Sequence, residues 1–201
     1  PEPLEDVKAA IRYLKANADR FGIDPSRVGI VGGSAGGYLT AMAGTTSGTK
    51  MFDRGENLQV TSDVKAAVDL YGLSDLTQIG SDFSADVQAR HRSAGATEAL
   101  WVNGSPVFGG RDGGILADKQ VAEAANPIHY ISKMSAPMLL MHGTSDTVVS
   151  PSQTDLLYQA LQKSGIPSER YLVTGAAHGG KYWVQEPVLK IITDFFDRYL
   201  K

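Results

Sequence analysis

The chain has 201 residues, 19 Lys and Arg against 22 Asp and Glu, a formal net charge of −3 and 42% hydrophobic residues. Its basic residues are scattered rather than striped, which removes the electrostatic footprint of a nucleic-acid binder, and no apolar run approaches the roughly 18 residues needed to span a bilayer. With no cysteine it has neither a disulfide frame nor a thiolate metal site. The expectation is one soluble domain, cytoplasmic or secreted, held together by its hydrophobic core.

Residues 6–21 place Val7, Ala10, Ile11, Leu14, Ala18 and Phe21 at helical spacing, with Glu5 and Asp6 in the first turn and Gly22 just beyond, predicting one amphipathic helix. After Asp24, Pro25 and Ser26, the β-branched RVGIV predicts a strand, the glycines that follow a sharp turn, and YLTAMAG a helix. A polar loop at 45–57 leads to VKAAVDLYG at 64–72, a second buried strand. Residues 73–127 are rich in Gly, Ser and Asp, with a turn-like FGGRDGG at 108–114, and predict an insertion or cap over one end of the sheet. PMLLMHG predicts a third strand. Next, Ser150, Pro151 and Gln153 form the capping-box pattern of a helix that runs to Gly165. ERYLVTG is the fourth strand, and from Pro187 a last helix carries Val188, Ile191, Ile192, Phe195, Tyr199 and Leu200 on its apolar side. Strands separated by helices imply an α/β fold, a mainly parallel sheet with helices on both faces and its site at the carboxyl ends of the strands.

The stretch GIVGGSAGGYL at 29–39 decides the chemistry. A dinucleotide loop needs Gly at i, i+2 and i+5, but counting from Gly29 or Gly32 puts Val31 or Ser34 at i+2. A second phosphate-loop pattern, Gly175, Gly180 and Lys181, is followed by Tyr182, where a Ser or Thr hydroxyl must hold magnesium. What fits is G-x-S-x-G at Gly32, Gly33, Ser34, Ala35 and Gly36, lying between a strand and a helix as a nucleophile elbow requires.

A serine hydroxyl needs a histidine to take its proton and an acid to orient that histidine. His91 in the insertion and His129 before IHYIS read as surface or structural residues, and His142 as a hydrogen-bonded residue shaping the loop after the third strand. His178, in GAAHGG after the last strand, sits among residues too small to bury it and is free to point at the elbow. For the acid, Asp146 in HGTSDTVV follows the third strand; Asp75 is the rival, with a helix N-cap as its alternative role, and Asp155 reads as solvated. Ser34, Asp146 and His178 follow the order Ser, acid, His, each after a successive strand. The four dispersed histidines make no metal-binding spacing, and hydrolysis needs no cofactor.

Through GGSAGG, through ANPIHYIS ahead of PMLLMHGTSDTVVSPSQTDLLYQAL, and through AAHGG before the terminal helix, most of the chain resembles the α/β-hydrolase family, in its hormone-sensitive-lipase-like and bacterial feruloyl-esterase-like branches. The resemblance implies a serine carboxylesterase acting on a small ester, acetyl or feruloyl esters of plant carbohydrate included. It implies Ser34 as nucleophile, His178 as general base, Asp146 as orienter and the Ala35 N–H as one oxyanion donor. Trp101 is either a wall of the acyl pocket or local packing, and Trp183 a candidate for the alcohol side. The family's His-Gly-Gly loop, source of the second oxyanion donor, and its first strands have no counterpart in the 33 residues before Ser34. The expectation is a chain lacking the amino-terminal third of the fold, poorly active alone, with an exposed sheet edge open to that segment or to a second chain. A prolyl-oligopeptidase-like peptidase and a catalytically inactive binding protein of the same fold are the rival readings.

Overall fold

The computed structural model describes residues 2–201. Four strands, β1 (Gly29–Gly33), β2 (Ala66–Leu70), β3 (Met138–Gly143) and β4 (Ser168–Val173), lie in the order β1-β2-β3-β4 with every neighbouring pair parallel. Eight α-helices accompany them: α1 (Glu2–Ala16), α2 (Ala18–Phe21), α3 (Ala35–Thr45), α4 (Ala85–His91), α5 (Thr97–Asn103), α6 (Lys119–Ala124), α7 (Ser152–Lys163) and α8 (Glu186–Leu200). None is long and apolar enough to cross a membrane.

Alternation along the two central strands sorts the core into layers. Ala66, Val68, Leu139 and Met141 face α8, where Val188, Ile192 and Phe195 cover them. Ala67, Met138 and Leu140 point the other way, onto Ala41 of α3 and Leu157 and Leu161 of α7. A strand covered on both faces has no polar side to show, which is why β2 and β3 are apolar except for Asp69 and His142 toward their carboxyl ends. Each of the Val, Leu, Ile, Met and Phe side chains in these layers contributes about 1.5–3 kcal/mol when fully buried.

The expected helix over 6–21 is two helices, broken at Asn17. The Asn17 side-chain amide donates to the carbonyl of Tyr13 at 2.8 Å, competing with the ordinary helical pattern, and Gly22 ends α2 in the left-handed region with φ of 63°. The capping box is also overturned. Ser150 Oγ accepts from the Asp82 N–H, and Gln153 Oε1 accepts from the N–H groups of Ser74 and Asp75 at 2.8 and 2.9 Å, so both side chains serve the segment after β2 instead of α7. The insertion carries α4, α5 and α6, and its Leu76, Ile79, Ala99, Ile115 and Ala122 share a core cluster with Leu4 of α1 and with Tyr38, Met42 and Ala43 of α3. It is therefore fastened along the outer side of α3.

β1 pairs on one side only, and its Val31 is half exposed. The loop between α3 and β2 is tied to α1 by a buried charge cluster. Lys8 and Arg12 are fully buried around Asp53; Arg12 Nη1 lies 3.1 Å from Asp53 Oδ1 without hydrogen-bond alignment, Ser62 Oγ donates to Asp53 at 2.7 Å, and Lys8 Nζ donates to Ser62 at 3.1 Å. Burial pushes the Lys8 ammonium down, with the Asp53 carboxylate opposing that shift. Removing the carboxylate leaves two buried cations without their ion-pair partner, with only the more distant Asp63 still opposing the charge of Lys8. Asp53→Ala is accordingly expected to cost about 3–5 kcal/mol in urea unfolding. By contrast Asp155→Ala, which breaks a half-exposed pair with Arg170, costs under about 1 kcal/mol.

Candidate active site

Between β1 and α3 the backbone turns within one residue. Ser34 adopts φ 57° and ψ −121°, a region rare for a side chain larger than hydrogen, and its N–H donates to the Leu70 carbonyl at 2.9 Å. Such strain costs about 1–3 kcal/mol and persists only where the surroundings hold it. Here close packing does so. A Cβ on Gly32 would lie 2.3 Å from the Gly36 carbonyl oxygen, and one on Gly37 would lie 2.4 Å from Asp69 Oδ1. At Gly36 a Cβ would meet nothing within 4 Å, so packing demands the glycines at 32 and 37 and not the final glycine of the pentapeptide.

The structure brings Ser34, His178 and Asp146 into one hydrogen-bonded line. Ser34 Oγ is 2.6 Å from His178 Nε2, and His178 Nδ1 is 2.8 Å from Asp146 Oδ2. An ionised carboxylate only accepts, so Nδ1 carries the imidazole proton and Nε2 faces the serine hydroxyl as an acceptor. Asp146 is buried, and its Oδ1 accepts from the N–H groups of Val148 and Val149 at 2.8 and 3.0 Å. His142 is fully buried with Nε2 3.2 Å from Asp146 Oδ2 and 3.1 Å from the Val149 carbonyl, while its Nδ1 accepts from Thr154 Oγ1 at 3.2 Å. Burial by itself would raise the Asp146 carboxyl. Hydrogen bonds from His142, from His178 and from the two backbone N–H groups outweigh it and hold the group well below the usual carboxylate range.

The loop bearing His178 owes its path to glycines. Gly179 and Gly180 both have φ of 90°, and a Cβ on Gly143 would lie 2.2 Å from the Ala176 carbonyl oxygen. That approach lets Ser145 N–H donate to the Ala176 carbonyl at 2.9 Å, joining the loop of Asp146 to the loop of His178. Tyr71, at the carboxyl end of β2, supports the imidazole edge to face, with centroids 4.9 Å apart. Its φ of 44° is held from both sides, by its own N–H on the Met141 carbonyl at 2.7 Å and by the Gly72 N–H on Asp69 Oδ1 at 2.8 Å. Asp69 is fully buried with Oδ2 unpartnered, and burial, opposed by the Gly72 N–H, pushes its carboxyl up to about 7. Sequence reasoning missed both residues, although each belongs to a strand or the turn after it, where α/β sheets build their sites.

Beside Ser34 and the first residue of α3, Ala35, lies a cavity of about 280 Å³ walled largely by Leu73, Leu76, Ile79 and Val149. Trp101 also lines it, meeting Tyr38 edge to face at 6.1 Å, and the same pair borders a second apolar cavity of about 300 Å³. Trp101 thus packs on Tyr38 and also lines the cavity beside Ser34. Trp183, expected on the alcohol side, is instead buried against α8, with its indole N–H on the Ala177 carbonyl at 3.0 Å and its ring 4.5 Å from Tyr71; it props the histidine loop from below. Asp75 caps the 3-10 turn Leu76–Gln78 by accepting from Thr77 N–H at 3.0 Å, Asp155 pairs with Arg170, and His129 is exposed. His91, read as a surface or structural residue, lines the cavity beside Ser34. Among the described residues no group of three or more His, Asp or Glu is placed to hold a metal ion.

The two buried acids act on stability in opposite senses. The Asp146 contribution is complete above its unfolded value near 3.9 and is lost as pH falls from there toward its lowered folded value. For Asp69, raised in the fold, stability is complete below about 3.9 and is lost as pH rises toward about 7. Urea titrations should show the deficit of Asp146→Asn shrinking as pH is lowered from 4 to 2. Asp69→Asn should gain on the parent as pH rises from 4 to 8. Gly36→Ala should hold or raise Tm, since alanine favours a helix by about 0.5–1 kcal/mol, whereas Gly32→Ala should lower it.

Residues 1–161 match the family model BD-FAE. Esterase LipC of Mycobacterium tuberculosis is 29% identical over 180 residues, covering 89% of this chain and 41% of LipC. Two solved structures superpose with a TM-score of 0.83: a truncated form of a carbohydrate esterase from gut microbiota, 30% identical, covering 99% of this chain and 68% of that one, and a bifunctional GH43-CE protein of Bacteroides eggerthii, 32% identical, covering 100% and 25%. The chain thus spans about two fifths of its curated relative. With its parallel sheet, its strained Ser34 turn and a family match over four fifths of its length, the chain belongs to the BD-FAE family of α/β-hydrolase-fold esterases.

Proposed function

We propose that this chain carries the catalytic centre of a serine carboxylic ester hydrolase. The single observation behind this reading is the line from Ser34 Oγ through His178 to Asp146, with bonds of 2.6 and 2.8 Å, standing at the start of α3. In the first half-reaction Ser34 Oγ bonds to the ester carbonyl carbon while its proton passes to His178 Nε2. The tetrahedral oxyanion faces the Ala35 N–H, which has no acceptor within the helix because it belongs to the first turn. Collapse breaks the bond to the alkoxide, which leaves as alcohol with the proton from Nε2, and an acyl-Ser34 ester remains. Water then attacks that ester, gives a proton to Nε2, and releases the carboxylic acid as the proton returns to Ser34. Asp146 holds the tautomer throughout and stabilises the transient imidazolium.

As substrates we favour acetyl or feruloyl esters of carbohydrate, a choice supported by the carbohydrate-esterase relatives and by a cavity large enough for a small acyl group. The unpaired edge of β1 supports pairing with a further strand, from more of the same protein or from a second copy.

A fluorophosphonate probe is expected to label Ser34, and Ser34→Ala to abolish the labelling. Ser34→Ala and His178→Ala should each lower kcat on p-nitrophenyl acetate by on the order of 10⁴-fold or more, with the double variant no worse than either single one. Faster turnover of an aminoacyl anilide than of the acetate would point to a peptidase, and failure of the probe to react would point to a binding protein.

A further inference from the structure

The wall of the cavity beside Ser34 is not uniformly apolar. The insertion contributes Thr97, Glu98 and His91 to it. Glu98 is buried, and one of its oxygens, Oε1, lies 2.6 Å from His91 Nδ1. No hydrogen bond among the described residues engages the other oxygen, Oε2, and that atom is not sealed in protein. The pair is built to stay put: a Cβ on Gly80 would lie 2.6 Å from His91 Cδ2, and Phe83 stacks on the imidazole with centroids 6.4 Å apart and planes at 27°. A carboxylate fixed in this way, its second oxygen a spare acceptor on a residue that lines a mostly apolar cavity, penalises any occupant that leaves the acceptor desolvated.

Which part of an ester enters the cavity follows from its lining. The leaving alcohol must sit beside His178 Nε2 to take its proton, and His178 does not line the cavity, whereas Ser34 and Ala35 do. The acyl group is the occupant.

Resting on the esterase reading above, we propose that Glu98, oriented by His91, is the specificity-determining residue of the acyl cavity and, among acyl groups larger than acetyl that reach its carboxylate, selects those bearing a hydroxyl. A hydroxyl donates to Glu98 Oε2, a plain alkyl chain leaves that oxygen unpaired, and an acyl chain ending in a carboxylate meets a like charge. One hydrogen bond to a charged group corresponds to a preference of about tenfold or somewhat more.

The test compares kcat/KM for p-nitrophenyl butyrate, 3-hydroxybutyrate, 6-hydroxyhexanoate, hexanoate and hemisuccinate on the same preparation, so that any inactive fraction cancels from each ratio. The expected parent prefers at least one hydroxyacyl ester about tenfold over its alkyl match and turns over hemisuccinate slowest. Glu98→Leu should bring the hydroxyl preference to about one. Glu98→Gln, which keeps the shape and removes the charge, should raise hemisuccinate relative to butyrate by about tenfold, and it decides the matter if the leucine variant does not fold. Parent ratios near one that neither variant changes would overturn the proposal and leave the pair as a strut between α4 and α5. If butyrate is hydrolysed and Ser34 is labelled, such a result touches only the role of Glu98. Absence of both hydrolysis and labelling overturns the esterase reading and this proposal with it.

Discussion

Everything at the carboxyl edge of this sheet depends on the carboxylate of Asp146. A buried charge is tolerable only when its lone pairs are occupied, and here two backbone N–H groups and two imidazoles occupy them. The N–H groups wind the loop after β3 around the carboxylate. Through His142 and Thr154 the same carboxylate is tied to the first turn of α7, and through His178 it reaches Ser34. Compensation of the charge and alignment of the base are thus one set of hydrogen bonds.

Ser34 sits where the chain is least comfortable, and the strain is shared. Ser34 and Tyr71, both with positive φ, lie at the carboxyl ends of adjacent strands and are joined indirectly by the approach of α3 to β2 at Gly37 and Gly72. Asp69 stands in that approach: its Oδ1 would be 2.4 Å from a Cβ on Gly37 and accepts from Gly72. The cost is a buried acid whose second oxygen has no partner. That a carboxyl persists there fits a place where the turn carrying Tyr71, and so the support beneath His178, must not relax.

The insertion gives the site its shape rather than its chemistry. It contributes none of the three residues in the hydrogen-bonded line, yet it brings Leu76, Trp101, Glu98 and His91 to the cavity at Ser34. It is anchored from within the main fold, by Gln153 of α7 on the backbone of Ser74 and Asp75 and by the shared core with α3. The lining of that cavity can therefore vary with the insertion while the hydrogen-bonded line stays as it is.

The sequence by itself determined the four strands and the helices α3, α7 and α8, and it singled out the triplet Ser34, Asp146 and His178 that the fold brings within hydrogen-bond reach. These are local matters: strands buried on both faces are mostly apolar, and a serine in a strand-to-helix turn needs small neighbours. Tertiary structure decided which glycines the turn requires, because Gly32 and Gly37 answer to atoms of Gly36 and Asp69 that spacing does not reveal. It moved Gln153 from a helix cap to a brace across the fold, and Trp183 from the substrate's side to the core, since a polar or aromatic side chain takes whichever partner packing brings within reach. It also brought His91 and Glu98 from an irregular stretch to the wall of the cavity beside Ser34. An irregular segment has no periodicity to announce which of its side chains face inward, so only the folded chain could assign them.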